Sequence, residues 1–212
     1  MTKRLAIVLL SLLLALASCN RAHDAQAPKR EMSPAEYEVL TAWIDATFAS
    51  ENGVSRRVAK VVVLDTTDSD DDRLLRDDNG QLITWEKMAA TLCKKDPALQ
   101  KGTLDPFRRA NIHQALLRRF LYPSIDYALV TSSQLNPIFC KHCGFWPEFY
   151  KRFRGSQGIL TVSGIGISPD GDQAFFYASS VCEGLCGRGD YVVMEKQNGA
   201  WVIQNVIAMW VS

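Results

Sequence analysis

Residues 191–207 read YVVMEKQNGAWVIQNVI, and the reading of this stretch decides the fold. Tyr191 to Lys196 and Trp201 to Ile207 are rich in β-branched and aromatic residues, and Asn198-Gly199 separates them. Asn-Gly is the strongest short hairpin signal, because a type I′ turn needs positive φ at both central positions. The chain therefore ends in an antiparallel pair. Upstream, Ala174 to Val181 and Ile159 to Ile167 carry the same signals, with Pro169-Asp170-Gly171 as the turn between them. An antiparallel meander from about 159 to 207 follows.

Ahead of the meander the periodicity is helical. Ser33-Pro34-Ala35-Glu36 offers an N-cap, a proline at the first helical position and a glutamate placed to close a capping box. Tyr37, Leu40, Ile44 and Phe48 continue at helical spacing, so a helix is expected over 34–50. Trp85, Met88, Ala89 and Leu92 predict a second over 84–95, and Asp105-Pro106 opens a third through about Leu121. Val58 to Leu64 and Tyr127 to Thr131 read as extended. The expected class is α+β, with N-terminal helices packed on a mainly antiparallel C-terminal sheet.

At the N-terminus, Lys3 and Arg4 precede an apolar run from Leu5 to Ala17, too short to span a bilayer as a mature helix. The run ends in Leu16-Ala17-Ser18-Cys19, which resembles the bacterial lipobox and implies cleavage before Cys19 and acylation of its thiol. Residues 1–18 are then a signal peptide, 19–32 a lipidated N-terminus and polar linker, and 33–212 one globular domain. Diacylglyceryl and N-acyl chains together suffice for stable anchoring. The expected partner is thus a membrane, reached through Cys19, and the expected location is the cell envelope, on the outer membrane facing the periplasm. Without residues 1–18 the chain holds 22 basic and 23 acidic side chains. Near neutrality argues against a nucleic-acid partner.

The segments Trp146-Pro147-Glu148-Phe149-Tyr150, Gly158-Ile159-Leu160 with Ser163, Cys182 with Leu185-Cys186-Gly187, and Lys196 with Gly199 and Trp201 form a pattern. It is similar to that of a group of bacterial hypothetical proteins sharing W-P-x-F-Y, G-I-L-x-x-S, C-x-x-x-C-G and K-x-x-G-x-W. Members often have Cys-Gly where this chain has Cys182-Glu183. The resemblance implies the same fold and no particular activity.

Five cysteines remain beside Cys19, namely Cys93, Cys140, Cys143, Cys182 and Cys186. CxxC and CxxxC spacings could furnish an all-cysteine zinc site. An exported protein meets an oxidising compartment, where thiols pair instead. Disulfides Cys182–Cys186 and Cys140–Cys143 are the simplest expectation, with crossed pairing between the loops as the competitor and no cofactor required. A redox role for Cys140-Lys141-His142-Cys143 needs a strand before it and a helix after, whereas Pro137 precedes and Pro147 follows. Cys93 falls on or beside an apolar helix face and is expected as a buried free thiol.

Arg188-Gly189-Asp190 reads as hairpin-loop residues rather than an adhesive motif. Asp65, Asp68, Asp70, Asp71 and Asp72 crowd together, but Arg73 and Asn79 stand where a calcium loop from Asp68 wants Gly and Glu. Arg108, Arg109, Arg118 and Arg119 are expected on one solvated helix face, with His113 on the same helix. No GxSxG, HExxH or phosphate loop is present. The residues point to a non-catalytic binding or interaction module; the alternative is an envelope hydrolase assembled from scattered residues such as His113, Asp126 and Asp65.

Overall fold

The computed structural model describes residues 30–49, 59–68, 81–99, 101–118, 123–140 and 145–212. Its strands are β1 (Arg30–Glu31), β2 (Lys60–Leu64), β3 (Ala115–Leu116), β4 (Asp126–Val130), β5 (Ser156–Val162), β6 (Gly166–Ile167), β7 (Gln173–Val181), β8 (Arg188–Gln197) and β9 (Ala200–Val211). Its helices are α1 (Pro34–Phe48), α2 (Trp85–Lys95), α3 (Lys101–Ala110), α4 (Ser132–Leu135) and α5 (Phe145–Arg152). The fold is α+β, as the sequence predicts. Seven strands form one sheet in the order β4-β2-β5-β7-β8-β9, with β6 also on β7.

From β5 onward the sheet is the expected antiparallel meander, and the β8–β9 turn has Asn198 at φ 52° and Gly199 at φ 84°. The other half differs. β2 lies parallel to both β4 and β5, two pairings that no local turn announces. β7 shows why the sheet needs cover on both sides. Phe176 joins the cluster under α1 and its neighbour Phe175 joins the cluster under α2 and α3, because successive side chains point to opposite faces. Both are fully buried, and burying each contributes roughly 1.5–3 kcal/mol.

On one face α1 sets Leu40, Trp43 and Ile44 against Val61, Leu160, Phe176 and Val192. On the other, Met88, Leu92 and Phe107 pack over Phe175, Tyr191 and Val193, while Phe149 and Ile138 cover Val62 and Ile159. α1 starts as expected. Ser33 Oγ accepts the Glu36 N–H at 3.3 Å and Glu36 accepts the Ser33 N–H at 2.8 Å, the reciprocal box.

Three expectations are corrected. The helix placed at 106–121 is α3, running from Lys101 to Ala110 with Pro106 inside it. It stops because the buried Asn111 turns its side chain back. Its Nδ2 donates to the Phe107 and Gly164 carbonyls at 2.8 and 3.0 Å, and its Oδ1 accepts the Gly164 N–H at 2.8 Å. The chain then forms β3, parallel to β1. Those same bonds fall where the expected strand 159–167 breaks into β5 and β6.

The linker is the second correction, since Arg30–Met32 belong to the folded unit. Arg30 and Glu31 pair with Ala115 and Leu116, and Met32 is buried in the core. The third concerns Cys93, which is free but only half-buried, because it lines a surface groove beside Trp85 and Leu104.

Candidate functional site

The lengths of the elements create a groove. α1 has 15 residues, about 22 Å at 1.5 Å each. β8 and β9 have 10 and 12, roughly 34 and 40 Å at ~3.4 Å each. The strands therefore outrun the helix that covers them. Beyond Phe48 the described residues form a groove of about 250 Å³ between α1 and β5, β7, β8 and β9.

Its apolar wall is Trp43, Phe48, Leu160, Ala178, Val192 and Ile203. Thr47, Gln157 and Ser180 supply neutral polar groups, and Arg188 and Asp190 supply charge. The last two project together because residues i and i+2 of a strand share a face. Arg188 Nε and Nη2 donate to the two Asp190 carboxylate oxygens at 2.6 and 2.8 Å, a bidentate pair. The Arg188 side chain is 54% exposed and that of Asp190 only 12%, so the acid forms the inner half of the pair. The hydrogen bond that Arg188 donates to Asp190 holds the Arg188 pKa above its ordinary value, against the opposing effect of burial.

The same geometry decides the Arg-Gly-Asp reading. Arg188, Gly189 and Asp190 lie in β8 rather than in the loop, and the two charged side chains bind each other. Gly189 is required for a different reason. A Cβ there would run into Trp210 and Tyr177, whose Nε1–H to Oη hydrogen bond of 2.7 Å crosses above it.

Before β8, Cys182 and Cys186 stand at disulfide distance, with Cα atoms 5.8 Å apart. Leu185, 91% exposed, forms the loop tip. Cys140 is likewise disulfide-bonded, and its expected partner Cys143 lies outside the described residues. Cys19, Asp70, Asp71, Asp72 and Arg119 lie outside them as well. Among the described residues no group of three or more His, Cys, Asp or Glu side chains is placed to hold a metal ion. Nor is any described helix long and apolar enough to cross a membrane.

The scattered residues of the hydrolase alternative are not brought into one cleft. Asp126 is exposed at the start of β4 and paired with Lys60 at 2.9 Å. Asp65 follows the other end of β2, whose register with β4 sets Lys60 opposite Asp126, so about 17 Å of strand separates the two acids at ~3.3 Å per residue. His113 is exposed in the turn after α3, not on a helix. Arg118 is past the helix too, and its guanidinium binds Glu31. Arg108 lies over the Trp85 ring at 5.8 Å.

Two further carboxylates hold the architecture together. Glu36, 4% exposed, accepts both Arg30 Nη1 and Nη2, at 2.7 and 2.9 Å, as well as the Ser33 N–H. Burial opposes its ionisation, yet the Arg30 guanidinium and the Ser33 backbone together keep its pKa below the usual carboxylate value. Asp45 accepts both the N–H and the hydroxyl of Ser124, at 2.6 and 2.7 Å.

Residue patterns missed the groove. The alternation Arg188, Asp190, Val192, Met194 along one face of β8 was the available signal, but it becomes legible only once the strand is known to begin at Arg188. Compared with family models, with curated proteins and with solved structures, the chain matches none.

Proposed function

We propose that the protein is a lipid-anchored component of the bacterial cell envelope whose α+β domain binds a ligand rather than transforming one. The anchor reading rests on the apolar run Leu5 to Ala17 and on Leu16-Ala17-Ser18-Cys19. One observation supports binding over catalysis: among the described residues lining the groove, the only charged ones, Arg188 and Asp190, are committed to each other in a bidentate pair. An acid or base for proton transfer must reach the substrate in a reactive state. Here the guanidinium and the carboxylate are bonded to each other, beside an apolar wall.

The anchor is tested by expressing Cys19→Ser beside the wild type with labelled palmitate. The wild type takes up label and fractionates with membranes; the variant takes up no label and is left unprocessed or soluble. Label on Cys19→Ser, together with membrane fractionation, contradicts the reading.

A further inference from the structure

We infer that the groove takes an uncharged, amphipathic small molecule: an aliphatic or aromatic body of about eight non-hydrogen atoms ending in a hydroxyl or amide. The inference deepens the binding-module reading and rests on it. Size comes first, since about 250 Å³ accommodates roughly eight groups of water size, at ~30 Å³ each. Body follows from Leu160, Ala178, Val192 and Ile203, whose side chains carry no polar atom, beside the Trp43 ring. The head group is set by Gln157 and Ser180, neutral side chains on the same groove.

Charge is excluded by the ion pair. A ligand carboxylate approaching Arg188 finds the Nε and Nη2 edge taken by Asp190 and meets the repulsion of that carboxylate. A ligand ammonium approaching Asp190 has to compete with a cation already holding both oxygens, at 2.6 and 2.8 Å. Breaking the pair leaves the inner carboxylate, 12% exposed, without its cation, which is unfavourable. A hydroxyl or amide meets neither penalty, because it can donate to or accept from its neighbours without displacing anything.

The test uses three probes of one length, 1-hexanol, hexanoate and hexylammonium, titrated at pH 7 onto the processed protein in lipid nanodiscs, with empty nanodiscs as the blank. Hexanol should bind at least tenfold more tightly than either ion. Ala178→Leu, which fills the groove, should abolish the binding. Should that variant fail to fold, Ser180→Leu at another lining position serves the same purpose. Hexanoate or hexylammonium binding as tightly as hexanol overturns the inference, as does hexanol binding unchanged by the filled groove, or no binding at all. Hydrolysis of hexyl acetate to hexanol and acetate by the wild type, lost in Ala178→Leu, instead contradicts the binding-module reading while leaving the ligand class intact.

Discussion

Two residues show how single side chains hold this fold. Gly189 exists because Tyr177 and Trp210 close over the β8 backbone, so Gly189→Ala should lower stability by about 1–3 kcal/mol, the usual cost of overpacking. Urea denaturation measures it. Glu36 is the second. Its folded pKa is depressed, so its contribution is present above the unfolded value of about 4.3 and is lost as pH falls through the lower folded value. Glu36→Gln should therefore cost about 1.5–3 kcal/mol at pH 7, as expected for hydrogen bonds to a charged group, and distinctly less at pH 3. Melts of the two proteins across that range check this, and a pH-independent difference contradicts the assignment. The box at Ser33 and Glu36 was legible because both partners lie within one helical turn. Arg30 was not, since its place opposite Glu36 depends on the β1–β3 pairing.

At the scale of the element, legibility follows sequence distance. α1, α2 and the β8–β9 hairpin carry their own caps and turn, and all three stand close to where the periodicity puts them. α3 ends on a side chain whose partner, Gly164, is 53 positions away, and nothing near Asn111 announces it. Likewise β2 pairs with β4 and β5, strands far from it in sequence, and no local turn announces either pairing. Asn111→Ala should cost about 1–3 kcal/mol, because it leaves the Gly164 N–H buried without its acceptor. The stapled loop behaves differently. A ring of about five residues restricts the unfolded chain little, so replacing both Cys182 and Cys186 by Ser should cost at most about 2 kcal/mol. The far-UV circular dichroism should stay unchanged, since the loop lies outside the strands it joins.

For the whole molecule, α1 relates the entry of the described chain to the groove. The described chain enters at Arg30, beside the start of α1, where Glu36 also meets the Ile165 N–H at 3.4 Å. The groove opens at the other end, past Phe48, about 22 Å along the helix axis. None of this could be read from residue patterns, because it arises from a helix shorter than the strands beneath it. Two other hollows test the assignment: a trough along the outer face of α1 at Tyr37 and Thr41, and the groove beside Cys93. The most direct test of the account is the nuclear magnetic resonance map of the processed protein with 1-hexanol. It should place the largest amide and methyl shifts at Ala178, Ser180, Val192 and Ile203; shifts confined instead to Tyr37 and Thr41, or to Ala89 and Cys93, would contradict it.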